Sequence, residues 1–299
     1  VSIRALTELF GRSRQGYYQR QHAQERAGLE DEVILACVSR IRTRAGTSRW
    51  GVRKLQLLVN RELAPLSLRV GRDRLFALLG AHDLLSKPRR RAYVKRSGEH
   101  LLPRYSNLIR GKVLTGPNQL WVADITYLRS PSGAAYFLYL VTDAYSQMVV
   151  GWHLSDDLLS ASALRALAMA LKQNGSTPSL THHSDRGAQY RSVEYLGMLK
   201  RHSVSISMSN PSSPQENAIA ERLNGILKAE WLYDMDFKSL ADARTKVRKV
   251  IAVYNGYRPH NSLGNLVPEQ VHWQGFLRHG AVRVVSRSYV TEKEPQEAP

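Results

Sequence analysis

THHSDRGAQYRSVEYLGMLKRHSVSISMSNPSSPQENAIAERLNGILK, residues 181–228, reads in turn as strand, helix, strand and helix. The strand-like run ends at Asp185, because Arg186-Gly187 must turn the chain before the helical RSVEYLGMLKR. Asp185 therefore sits at the C-terminal end of a strand, where α/β proteins place their ligands. After the strand SVSISMS, the breaker-rich SNPSSP separates it from a second helix that starts near Asn217. Leu223, Ile226, Leu227 and Trp231 form the buried stripe of that helix, and Asn217, Glu221, Asn224, Gly225 and Lys228 lie toward its other side. One face thus offers an acid, two amides and a cation, with Gly225 permitting close approach. A phosphodiester backbone needs that mixture: carboxylates for a metal, and donors and positive charge for phosphates.

A third acid lies upstream in LWVADITYL, with 60 residues between Asp124 and Asp185 and 35 between Asp185 and Glu221. Period-two alternation puts Leu120, Val122, Asp124, Thr126 and Leu128 on one face, so Asp124 falls among apolar side chains. A buried carboxylate is costly without a cation or a dense hydrogen-bond shell. A turn at Ser130 to Gly133 and two more strands, YFLYLVTD and QMVVGWHL, follow, then the helix SASALRALAMALK. Three strands followed by alternating helices and strands, five strands in all, support an α/β core.

LWVADITYL, FLYLVTDAYSQMVVGW, HHSDRGAQY, SNPSSPQENAIAERLNGILKAE and YNGYRPHNSLGNLVPEQV together resemble the DDE transposases of the retroviral-integrase superfamily. The match is closest to the second-frame (orfB) product of the bacterial insertion-sequence family numbered three, and covers about residues 30 to 272. The resemblance implies a ribonuclease H-like catalytic core over 118–275, a mixed five-stranded sheet whose first three strands are antiparallel, with helices on both faces, and Asp124, Asp185 and Glu221 as its catalytic, metal-binding triad. It implies DNA cleavage and strand transfer with two Mg²⁺ ions about 3.5 to 4 Å apart, Asp124 bridging both, Asp185 on one and Glu221 on the other. Mn²⁺ suits an all-oxygen site equally. Water attacks first and frees a 3′-OH at the element end, and that 3′-OH then attacks a target phosphodiester. The partners implied are double-stranded DNA of the element's terminal repeats and of the target, a homodimer or higher oligomer on DNA, and an upstream-frame (orfA) partner or fusion.

Charge divides the chain. Residues 1–112 hold 24 Lys or Arg against 9 Asp or Glu, while the other 187 residues hold 19 against 16, so +15 of the total +18 lies in the first part. Such a balance fits nucleic acid or an acidic membrane surface; with no strongly amphipathic basic helix or lipidation motif, nucleic acid is favoured, the first part supplying salt-dependent attraction to phosphates. Residues 1–29 are read as a helical arm. Residues 30–86 are read as three helices, with apolar stripes at Val33, Ile34, Cys37, Val38 and Ile41, then at Val52, Leu55, Leu58 and Val59. The third, near Arg69 to Leu79, carries Arg69, Arg72 and Arg74. The whole resembles the helix-turn-helix module preceding the core in these transposases, with those arginines offered to the major groove. A basic linker, 87–117, follows. Its KPRRRAYVKR brings Lys87, Arg89, Arg90, Arg91, Lys95 and Arg96 to the DNA backbone, and Pro88 blocks a helix. Residues 276–299 are read as a C-terminal tail.

Several classes are excluded. No stretch approaches a membrane span, VSIRALTELFGRSRQ lacks the apolar region of a signal peptide, and no Gly-x-x-x-x-Gly-Lys loop predicts a nucleotide cofactor. Ser184 lacks a Gly-x-Ser-x-Gly elbow. The one cysteine, Cys37, excludes an intramolecular disulfide and a Cys-rich zinc site and lies on an apolar stripe. A bacterial cytoplasmic protein, on the nucleoid when bound to DNA, is expected. Asp143, which also ends a strand, is read as turn support. His182 and His183 are adjacent strand residues and cannot both face one site. Lys228, two turns beyond Glu221, is read as contacting terminal DNA, and Arg222 as pointing away. Two rivals stand beside the transposase reading: a ribonuclease H-like nuclease that only hydrolyses, and a catalytically silent DNA-binding repressor.

Overall fold

Strand β2, Leu120–Arg129, is the axis of the larger part of the molecule, with β3 (Ala135–Asp143) antiparallel on one side and β5 (Thr181–Ser184) parallel on the other. Strand β4 (Val149–Ser155) extends the sheet beyond β3, antiparallel to it, and β6 (Ser205–Met208) extends it beyond β5, parallel to it. The order is β4-β3-β2-β5-β6 in this computed structural model. It describes residues 13–44, 46–86, 105–130, 133–175, 179–210, 214–273, 282–284 and 289–291. This is the ribonuclease H-like arrangement expected, and the chain falls into two compact units, Val1–Pro88 and Arg89–Pro299.

A central strand must bury both faces, and β2 does so by alternation. Trp121 and Ala123 face one core with α4 (Ser160–Asn174) and α5 (Val193–Arg201); Leu120 and Val122 face a second with Ala220 of α6 (Ala218–Glu230) and Leu263. Helix α4 lies close on β4 because residue 151 is glycine: a Cβ there would stand 2.2 Å from the Ala166 carbonyl oxygen and 2.8 Å from Ala170. Helix α7 (Leu240–Gly256) is joined to β4 by Asn255, whose amide accepts from Val149 N and donates to Val149 O, both at 3.0 Å. Asp143 is wholly buried at the end of β3 and accepts from Asn118 N, Ser146 N and Ser146 Oγ. It is the turn support expected of it.

The boundaries shift in two places. Residues 105–117 are not a free connector: Ile109 and Leu114 enter the second core, Met208 N donates to Ser106 O, and Leu108 N donates to Ser207 Oγ. Alternate apolar residues in a basic, proline-flanked stretch hid this packing. Residues expected as a tail supply β7 (Val282–Val284) and β8 (Tyr289–Thr291), which join β1 (Val113–Leu114) in a three-stranded sheet. Helix α8, Pro268–Trp273, precedes them.

In the first unit, α1 runs unbroken from Arg14 to Thr43, so the arm expected over 1–29 and the first helix of the module are one element. Ser13 caps it by accepting from Gly16 N at 3.0 Å, and the exposed half has pairs at helical spacing, such as Arg26 with Glu30. Ile34, Cys37, Val38 and Ile41 bury the other half, against a core with Leu55, Leu58 and Val59 of α2 (Val52–Leu63) and Leu75 and Leu79 of α3 (Arg72–Ala81). The turn between α2 and α3 is fixed by Asn60, which accepts from Val70 N and donates to Val70 O.

Candidate active site

Parallel register brings the first two acids together. Ala123 of β2 stands opposite Ser184 of β5, so the next residues, Asp124 and Asp185, are neighbours at the carboxyl end of β5, on strands about 4.8 Å apart. Asp124 is 4% exposed, on the β2 face that meets α6. Asp185 is half-buried at the turn into the next helix, and its Oδ1 accepts from Gly187 N at 2.9 Å. A Cβ on residue 187 would lie 2.9 Å from that same oxygen, so glycine leaves room for the carboxylate.

Glu221 comes from the first turn of α6 and is exposed. The helix is fastened over β2 by two amides that bracket it in sequence. Asn217 Nδ2 donates to Ala123 O at 3.1 Å and Asn224 Nδ2 donates to Asp124 Oδ2 at 2.7 Å. Residues three apart on a helix share a face with Cβ atoms about 5 to 6 Å apart, so the hold on Asp124 through Asn224 sets Glu221 one turn away. Lys228 is one turn beyond Asn224 in the other direction, half-buried in the last turn of α6.

These contacts revise part of the sequence reading. Asn217 and Asn224, read as DNA contacts, are 4% and 7% exposed and spend their amide donors on β2. Their place on the polar side of the helix was legible, but that side meets the strand bearing Asp124. Ile226 is only half-buried, and Arg222 is exposed. In the first unit, Arg74 is tied to Glu30 and Asp31 at 3.0 and 2.8 Å, and Arg72 pairs with Asp73 at 2.8 Å. Arg69 is exposed just before α3. Lys87, Arg89, Arg90, Arg91, Lys95 and Arg96 lie outside the described residues.

The surroundings are buried and polar. Tyr190 is buried between the strand end and α5, and its Oη has no hydrogen-bond partner. Burial pushes its phenol well above the usual tyrosine value, and the charges of Asp124 and Asp185 push it further in the same direction. His182 lies 2.9 Å from Tyr195 Oη, and His183 2.9 Å from Ser207 Oγ, so the two rings turn to separate elements, as expected. Burial holds them neutral, depressed to about 3 and about 4. Arg258, in the capping turn, is buried and binds Glu230 through two bonds of 2.8 and 2.7 Å, with His260 2.9 Å away. That pair anchors the C-terminal end of α6. Sequence reading missed Tyr190, whose sole signal is its place five residues after Asp185.

The donors gathered here are oxygens. Beside the carboxylates, the amide oxygens of Asn217 and Asn224 are buried without partners. Hard divalent cations such as Mg²⁺ or Mn²⁺ take oxygen sets of this kind. Among the described residues no three histidine, cysteine or acidic side chains draw together closely enough to hold one ion. The donor chemistry fits, with Glu221 offered from the first turn of α6.

Residues 115–214 and 202–268 both match the family described as "Integrase core domain". The chain is similar to an insertion element IS600 uncharacterized 31 kDa protein of Shigella sonnei, 34% identical over 88% of this chain and 96% of that protein. It is similar also to the transposase InsF for insertion sequence IS3A of Escherichia coli, 32% identical over 90% of this chain and 93% of that protein. A solved structure of the HTLV-2 integrase catalytic core domain in complex with magnesium aligns with 56% of this chain and 99% of its own length. Its identity is 20% and its TM-score 0.43.

Proposed function

Because the chain belongs to the insertion-sequence transposases with an integrase core domain, and so to the polynucleotidyl transferases, we propose that it cuts DNA at its element's ends and joins them to a target through Asp124, Asp185 and Glu221. The observation that carries this reading is the bracket of Asn217 and Asn224 around Glu221, which ties the third acid to the strand bearing the first.

Asp124 and Asp185, side by side on the sheet, would hold Mg²⁺ with Glu221 completing the set from α6, and two ions are proposed. When bound, the metal supplies positive charge to the phosphate under attack and to the leaving oxygen. The chain's own residues do the rest. The sheet fixes two carboxylates at one depth, buried Trp121, Val122 and Tyr190 exclude water from beneath them, and the amide bonds orient α6. Lys228 offers positive charge to the DNA terminus along the same helix face. Water first attacks the phosphodiester at the element end and releases a 3′-OH, which then attacks a target phosphodiester and displaces a second 3′-oxygen. Positioning supplies much of the rate in phosphoryl transfer, which suits a site built on strands.

Duplex DNA is the proposed partner of the helix-turn-helix unit, with Arg69 and Arg72 as contacts and Arg74 bracing α3 on α1. Oligomerisation on DNA and joint action with an upstream-frame product are part of the same proposal. No helix among the described residues is long and apolar enough to cross a membrane, and a place on the bacterial nucleoid is proposed.

The test is strand transfer with a pre-cleaved element end, Mg²⁺ and a supercoiled target, comparing wild type with Asp124→Asn and Glu221→Gln. Joined product from wild type alone is expected. Equal joining by either variant refutes the triad, and cleavage without joining by wild type supports a hydrolytic nuclease instead.

A further inference from the structure

Beside Asp185, on the outer side of the sheet, a cleft of about 430 Å³ is lined by Tyr105, Ser106, Asn107, Arg110, Arg186 and Asn210. Among the described residues its lining holds two guanidinium groups and no carboxylate. No acidic residue stands within ion-pair distance of either arginine among the described residues, and Arg186 Nε is buried without a hydrogen-bond partner. The two guanidiniums are thus the charged donors that the lining offers to an acceptor entering the cleft.

The walls are fixed by the chain itself. Ser106 O accepts from Met208 N on β6, Leu108 N donates to Ser207 Oγ, and Asn107 Oδ1 accepts from Ile109 N. Opposite, Asn210 is held by Glu216, which accepts from Asn210 N at 2.6 Å and from Asn210 Nδ2 at 3.0 Å. Glu216 itself is not among the residues that line the cleft. Its carboxylate is held below the usual glutamate range by these bonds and by Asn107, against the effect of burial. Its negative charge is thus spent on the two amides, while the guanidiniums are left for the cleft.

We infer that this cleft binds a backbone phosphate of the DNA strand being cut, gripped by Arg110 and Arg186. Arg186 follows Asp185 directly, so its Cα lies 3.8 Å from that of the acid, and a phosphate held here fixes the strand on the Asp185 side of the reacting bond. Guanidinium is the natural partner of phosphate because its planar donors match two oxygens at once. The role of Arg186 is separate from that of its neighbour: Asp185 faces the reacting centre, and Arg186 faces the strand leading to it. The inference rests on the transposase reading and deepens it by assigning a substrate contact.

The test uses the full chain and a labelled duplex ending in the element's terminal repeat. Arg110→Gln, Arg186→Gln, their combination and Arg186→Lys are compared with wild type between 50 and 200 mM salt. One lost phosphate contact makes the slope of log K against log salt shallower by about 0.9, and that change is expected in the double glutamine variant, with Arg186→Lys restoring most of it. A scan of uncharged methylphosphonates along the cut strand then locates the contact. One position should impair joining by wild type and lose its effect in the double variant, while other positions keep theirs. If wild type joins DNA and the variants match it in slope and scan, the inference falls and the transposase reading stands. If wild type neither binds nor joins element ends, both fall. Arg110 is exposed, so Arg110→Gln carries the comparison should Arg186→Gln fail to fold.

Discussion

Replacing Asn224 by leucine keeps the size of the side chain and removes the donor that reaches Asp124 Oδ2 at 2.7 Å. Both groups are almost wholly buried, at 7% and 4% exposed, so water does not substitute. A hydrogen bond to a charged group contributes about 1.5 to 3 kcal/mol, and the loss leaves a buried carboxylate with one donor fewer. We therefore expect Asn224→Leu to lower the unfolding free energy of the metal-free protein by about 2 kcal/mol, read from urea melts. Saturating Mg²⁺ should shrink that deficit, because a cation on Asp124 offsets the missing donor. Joining should fall by about tenfold to a hundredfold, since misplacing a reacting group by about 1 Å can cost a hundredfold, and Glu221 loses one of its two ties to β2. Asn217→Ala, which removes a bond to a neutral carbonyl, should cost about 1 kcal/mol and less activity. An Asn224→Leu protein with wild-type stability without metal and wild-type joining would refute the argument that this amide couples α6 to the catalytic strand.

Other substitutions probe the frame around the site. His182 is depressed to about 3 by burial first and by His183 second, from an ordinary value of 6.5. The folded form therefore resists protonation: its stability is complete above pH 6.5 and declines as pH falls toward 3. Between pH 7.5 and 5 this one ring should cost about 2 kcal/mol, and His182→Gln should flatten the pH dependence of unfolding by that amount. Gly151→Ala puts a Cβ 2.2 Å from Ala166 O, and separating β4 from α4 should cost about 1 to 3 kcal/mol or more in thermal melts. Gly28→Ala in α1 meets nothing within 4 Å and should stabilise the first unit by about 0.5 to 1 kcal/mol. Arg258→Met strands Glu230 without its paired guanidinium and should cost about 3 to 5 kcal/mol, with Arg258→Lys a poor rescue because an ammonium cannot make both bonds.

The core was legible because its signals are local. Alternation in LWVADITYL, the turn after Asp185 and the breakers before Asn217 each bound one element, and the order of elements leaves few topologies. The face of Asp124 was readable for the same reason, since period two fixes the side of a strand. What could not be read depends on contacts between distant residues. Asn224 and Asp124 are 100 residues apart, and a polar helix face looks alike whether it meets solvent, DNA or a strand. Arg74 likewise has the composition of a DNA contact, and only the packing of α3 against α1 brings it to Glu30 and Asp31. Arg186 and Arg110 draw no notice in a chain this basic, because nothing in the sequence places residues 105–110 along the edge of β6.

The two kinds of anchorage at the site divide its labour. Asp124 lies within a paired strand with apolar layers on either side, and Asp185 directly follows the strand paired with it, so moving either would disturb the sheet. Glu221 belongs to a helix whose first turns are tied to that sheet by two amide bonds. Its far end is locked by Arg258 and Glu230 at 2.7 Å. Both ends of the helix are therefore held, and the third acid sits near its start, between the two amides. The bond from Asn224 to Asp124 joins the helix of the third acid to the strand of the first, which is why its removal should be felt in stability without metal and in catalysis with it.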